Sequence, residues 1–181
     1  MAGINPEQFQ QLLGQLFADI NNHEPTVLAK INAFLEKIPE ESNLLHLAGL
    51  ASADRNQLDA AIDYFLRSLS RQSQQPEVHN NLANVYAKQG NDLLAEQHYR
   101  RALQLNPDFQ DARKNLGLLL ISVSPEAAVV ELDRAVAHNS KDIGALTGLG
   151  DAHKELENFK LSTEYYQRAL EINPDHVTAR H

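Results

Sequence analysis

Asparagine side chains cluster in one stretch of the chain, NNLANVYAKQGN at residues 80–91, and their amides could hold a peptide backbone. Each amide carries a donor and an acceptor, the two groups that an extended peptide presents. Asparagine is a poor helix former and costs about 0.5 kcal/mol against alanine in a helix interior. Local propensity therefore does not explain three of them on one predicted helix.

The asparagines share one face of that helix. At 100° per residue they fall within an arc of about 100° together with Glu77 and Lys88, while the apolar residues fill the opposite side. The equivalent places in the next two predicted helical hairpins hold further polar side chains. We expect a peptide-binding face made of Asn80, Asn81, Asn84, Lys88, Lys114, Asn115, Thr147 and Asp151.

Other chemistries lack a suitable pattern. GLGD at residues 148–151 has two glycines at nucleotide-binding spacing, but it lies inside a predicted helix and follows no strand. The eight histidines include no pair at i and i+4, and the carboxylates of the second helices lie among lysines and arginines as on a solvated face. We expect no catalytic residue, no metal site and no cofactor.

Composition narrows the class of protein further. A net charge of −8 with scattered lysines and arginines argues against nucleic acid, which requires a basic stripe. The absence of cysteine excludes disulfides and fits a reducing compartment. The longest apolar run, residues 116–123, is too short to cross a bilayer, and the first residues do not resemble a signal peptide. These features predict a cytoplasmic protein that is not bound to a membrane.

The sequence contains an internal repeat. Residues 76–109 align without a gap on residues 143–176, and the sequence NPD at 106–108 falls on NPD at 173–175. The offset of 67 residues equals one unit of 34 and one of 33, because the unit at 110–142 is one residue short in its turn. Residues 42–75 carry the same pattern upstream, which gives four units.

Each unit shows two apolar-periodic segments of helical length joined by a turn, so the predicted fold is all-α. Small residues in the first helices should let the two helices of a hairpin approach closely: Gly49, Ala83, Gly117 and Gly150. Large residues should fill the space between neighbouring hairpins: Phe65, Tyr86, Tyr99, Leu132 and Tyr166.

These positions resemble the tetratricopeptide repeat (TPR) family over residues 42–176. The resemblance implies an α-solenoid of stacked antiparallel hairpins, a right-handed superhelix whose first helices line a concave groove. His153 and Ser162 depart from the usual aromatic and alanine. Residues 1–41 are interpreted as a degenerate N-terminal hairpin that caps the array, and residues 177–181 as the truncated start of a further helix.

The resemblance also suggests how a ligand is held. Asn81 and Asn115 occupy the same place in consecutive units and look like a ladder that grips a peptide backbone. One TPR subset clamps acidic C-terminal tails, but His46, Leu50 and Leu118 stand where three of its five clamp residues belong. Because acidic residues border the groove, we expect a mixed or partly basic peptide.

The predicted function is a non-catalytic protein-interaction scaffold that binds a partner protein or extended peptide in the groove. One alternative is an N-terminal accessory domain of a larger enzyme of glycosyl- or sulfotransferase type. Another is self-association, since the last hairpin should leave apolar surface around Leu161, Tyr165 and Ile172 open to a second copy.

Overall fold

The computed structural model describes residues 5–180 and folds almost entirely into helices. Within these residues ten α-helices are followed by a 3-10 turn at Thr178–Arg180. The helices are α1 (Pro6–Asn21), α2 (Val27–Leu35), α3 (Ser42–Asp54), α4 (Leu58–Arg71), α5 (Pro76–Lys88), α6 (Asp92–Leu105), α7 (Gln110–Leu120), α8 (Pro125–His138), α9 (Ile143–Glu155) and α10 (Phe159–Ile172).

Two compact units divide the chain between Gly90 and Asn91, in the turn that joins α5 to α6. In the first unit, α3 packs on α1, α2 and α4, and α5 packs on α3 and α4. Its two apolar clusters share Leu50, which contacts both. In the second unit, α7 packs on α6 and α8, and α9 packs on α7, α8 and α10.

Close helix approach depends on glycines that face large side chains. A β-carbon at Gly49 would clash with Cε1 of Phe65, and one at Gly150 would lie 2.5 Å from Cε1 of Tyr166. Gly117 faces Leu132 at 2.6 Å in the same way. In these three hairpins a large side chain of the second helix therefore lies directly on the backbone of the first helix. The sequence predicted the close approach at the small residues, but it placed the large residues between neighbouring hairpins rather than within their own.

The turns within the hairpins share a left-handed residue. Asn56, Gly90 and Glu157 have φ values of 58°, 77° and 59°, and each ends the turn between the first and second helix of its hairpin. Glycine adopts this conformation without steric cost, whereas a β-carbon opposes it. In the unit that is one residue short, α7 ends early at Leu120, and no left-handed residue occurs between α7 and α8.

After α10 the chain turns back onto the same helix. The 3-10 turn contacts α10, and Ala179 is buried there. None of the helices in residues 5–180 is long and apolar enough to span a membrane.

Candidate functional site

The polar stripe on α5 is only partly exposed. Asn84 and Lys88 face solvent, but Asn80 retains just 6% of its accessible surface. The sequence placed Asn80 on the exposed face, and the structure corrects this. Because α5 packs against both α3 and α4, its buried arc is wider than that of a helix covered from one side.

Asn81 is half-buried and is held by a neighbouring helix. Its Nδ2 lies 2.9 Å from Nε2 of His46 on α3, so the amide donates to a neutral imidazole. Burial lowers the pKa of His46 to about 4, although the charge of Glu77 opposes the shift. Asn81 therefore has a structural partner, and the carbonyl oxygen of its amide is the group that could accept from a ligand.

In the second unit, the predicted binding face of α7 lies beside that of α9. Leu118 on α7 packs directly on Gly148 of α9: a β-carbon added at Gly148 would lie only 2.6 Å from Cδ2 of Leu118. The aliphatic part of the Lys114 side chain lies near Gly144. We call this surface the first-helix face. It consists of Asp111, Lys114, Asn115 and Leu118 on α7, and Gly144, Thr147, Gly148, Asp151 and Glu155 on α9.

Lys114 is neutralised on this face. Its Nζ lies 3.1 Å from Oδ2 of Asp142, and the exposed Asp111 is 4.0 Å away on the same helix. Asp142 also caps α9, because its Oδ1 accepts from the backbone N–H of Ala145 at 3.0 Å. With its lysine paired, the first-helix face presents mainly carboxylates.

Two predicted residues on α9 are already engaged. Thr147 is 7% exposed, and its hydroxyl donates to the carbonyl oxygen of Ile143 at 2.9 Å. The prediction that Thr147 lies on an exposed binding face is therefore wrong. Asp151 is half-buried and accepts from the Tyr166 hydroxyl at 2.6 Å. Burial raises the pKa of Tyr166 to about 12, so this hydroxyl stays protonated and keeps donating at neutral pH.

Sequence reasoning missed two contributors to this surface. Asp142 precedes the apolar-periodic residues of α9, which is the signature of an N-cap, and that signal could have placed it beside Lys114. In the sequence, Leu118 served only as evidence against a carboxylate clamp. The structure shows that it is 39% exposed and provides an apolar contact among polar neighbours. Asn115 on α7 is half-buried.

The sequence model of the tetratricopeptide repeat family matches residues 76–109 and 144–176. These two segments are tetratricopeptide repeats. A TPR repeat-containing protein of Methanocaldococcus jannaschii is 31% identical over 94 residues, which are 52% of this chain and 30% of that protein. The protein O-mannosyl-transferase Tmtc3 of Drosophila melanogaster is 28% identical over 115 residues, which are 62% of this chain and 12% of that enzyme. The TPR chain thus spans less than a third of either relative.

Solved structures share the fold. YrrB, a TPR protein with an unusual peptide-binding site, superposes with a TM-score of 0.79 at 23% identity, over 92% of this chain and 86% of YrrB. At this identity the likeness establishes the fold, an all-α TPR solenoid, which agrees with the expectation from sequence. Proteins of this fold act in general as scaffolds for protein–protein interaction.

Proposed function

We propose that this TPR protein is a scaffold that holds an extended peptide of a partner protein against the first helices of a unit. Asn115 would contribute polar contacts in the second unit, and Asn81, Asn84 and Lys88 would do so in the first. The observation that carries the proposal is the first-helix face. Its lysine is neutralised by Asp142, its carboxylates remain exposed or half-buried, and Leu118 offers apolar surface between them.

This surface favours a peptide with basic and apolar side chains. Carboxylates attract lysine or arginine of the ligand and set its orientation, and the exposed leucine offers contact for an aliphatic neighbour. Gly148 is buried under Leu118 and Leu132, so the ligand would contact Leu118 and the exposed carboxylates of Asp111 and Glu155 rather than the backbone of α9. Asn115 can pair with the peptide groups of the ligand.

Leu118→Lys tests the proposal. The new ammonium group should repel a basic peptide and remove the apolar contact, so affinity should fall about tenfold or more. Fluorescence anisotropy would use a labelled peptide of mixed lysine, leucine and serine composition. Val130→Lys is the matched control, because Val130 is also an exposed apolar residue (49%) but lies on the second helix α8. Equal loss in both variants would contradict a site on the first helices.

Self-association is a second candidate that one observation favours. Leu161, Tyr165, Arg168 and Ile172 lie within an arc of about 60° on α10, and the two aliphatic residues are exposed. An exposed apolar stripe of this kind is typical of an interaction surface. A second copy of the chain would cover it.

Sedimentation velocity tests this candidate. If the stripe pairs two copies, the wild-type protein should sediment increasingly as a dimer with rising concentration, and Leu161→Glu with Ile172→Glu should remain a monomer. Phe159→Glu is the control, since Phe159 is exposed but lies well outside the stripe. A wild-type protein that stays monomeric at high concentration would exclude self-association.

A further inference from the structure

A second candidate site lies in a cleft of about 290 Å³ in the second unit. Residues of α6, α7 and α8 line it, together with the turn between α6 and α7. Leu103, Leu116 and Pro107 give it an apolar floor. Its volume lies at the lower end of the range of ligand pockets and suits a side chain or a short peptide segment.

The cleft is positively charged although the chain is acidic. Three arginines and one glutamate line it, which leaves two positive charges in a protein whose net charge is −8. Arg113 and Glu131 form a pair at 2.7 Å, and their side chains are only 14% and 15% exposed. Arg113 also donates to the carbonyl oxygen of Pro107. This pair is therefore fixed and holds α7 against α8.

Arg100 and Arg134 make fewer hydrogen bonds and ion pairs within the protein than Arg113 does. Arg100 uses Nε to donate to Glu96 on its own helix at 2.8 Å, while Nη1 of Arg134 lies 3.6 Å from Oε1 of Glu131. Both side chains are at least half exposed. A guanidinium has five N–H donors, so each of these arginines keeps donors for an incoming anion.

The cleft is separate from the first-helix face. On α7, Arg113 lies about 150° around the helix from the centre of the arc formed by Asp111, Lys114, Asn115 and Leu118. A ligand in the cleft would therefore contact the other side of α7. Occupation of one surface would leave the other accessible.

We propose that this cleft binds an acidic peptide segment of a second partner, with a carboxylate on Arg100 and Arg134 and an aliphatic neighbour on Leu103 and Leu116. The apolar floor favours a peptide, because inorganic phosphate has no group to place there. Glu131 in the lining of the cleft also disfavours a multiply charged anion through like-charge repulsion, whereas a single carboxylate gains more than it loses. The protein would then hold two peptides of opposite charge on two sides of α7.

Fluorescence anisotropy with a labelled peptide of alternating leucine and glutamate tests the proposal on the full chain. Arg100→Gln with Arg134→Gln should weaken binding about tenfold or more, because charge-assisted contacts are lost. Arg134→Gln alone should give an intermediate loss. Lys141→Gln with Lys160→Gln is the control: it removes the same charge from exposed positions of the second unit outside the cleft and should leave affinity unchanged. Circular dichroism would verify that all variants are folded.

Three results would overturn the proposal. They are failure of the wild-type protein to bind the peptide, equal weakening by the control variant, and unchanged affinity in the double arginine variant. Two further arms define the ligand. The same peptide with glutamine in place of glutamate should not bind, and inorganic phosphate at equal concentration should not displace the acidic peptide. Displacement by phosphate would contradict a peptide site and indicate a site for small anions.

Discussion

Phe65→Ala should destabilise the first unit by about 3–5 kcal/mol, the usual cost of deleting a fully buried aromatic ring. Phe65 has no accessible surface, and its ring lies directly on Gly49 of the facing helix. Alanine would leave a cavity between α3 and α4 that rigid helix backbones cannot close. Chemical denaturation followed by circular dichroism measures the loss.

The neighbouring residue provides a control for this prediction. Leu66 is 44% exposed, so Leu66→Ala should cost less than about 1 kcal/mol. If both variants lost similar stability, the ring of Phe65 would not be the contact that joins α3 to α4. Hydrogen exchange of the amides in α3 and α4 would show the same contrast.

Acidification should destabilise the first unit through His46. Because burial holds the pKa of His46 at about 4 in the folded state, below the ordinary value of 6.5, the unfolded chain binds the proton more readily. Stability is therefore fully present above pH 6.5 and is lost as the pH falls from 6.5 towards 4. At pH 5 the expected loss from this group is on the order of 2 kcal/mol.

The hydrogen bond of Asn81 explains part of the same effect. Once His46 is protonated, its Nε2 becomes a donor and can no longer accept from the amide 2.9 Å away. His46→Gln should remove this part of the pH dependence when unfolding is measured at pH 7.5 and pH 5. His138→Gln, which removes an exposed histidine, should keep the wild-type pH dependence. A profile unchanged in His46→Gln would show that another group is responsible.

Sequence periodicity was sufficient for the helices and for the small residues at which they approach closely. It did not predict the partners, because Phe65 and Tyr166 were expected between neighbouring hairpins and lie instead on Gly49 and Gly150 of their own hairpins. The left-handed residue of the turns follows the same register at Asn56, Gly90 and Glu157. Because such features are local to one hairpin, an alignment of the repeats is enough to predict where they occur.

The candidate site was less predictable, since it depends on contacts between hairpins. A helical wheel gives a helix one buried side, and it therefore failed for Asn80 and Thr147, which neighbouring helices cover. It also gave no sign that Asp142 would neutralise Lys114 from 28 residues away, or that Asn81 would donate to His46. These pairings depend on how the hairpins stack. The residue types on a single helix do not specify that stacking.

The central claim is that the first helices form the partner-binding surface. It is tested most directly by NMR of the ¹⁵N-labelled protein during titration with the basic and apolar peptide. We predict that the largest amide shifts occur on α7 and α9, around Asp111, Leu118 and Glu155, because these are the exposed residues of the first-helix face. Shifts concentrated on the second helices α6, α8 and α10, with α7 and α9 unchanged, would contradict the claim.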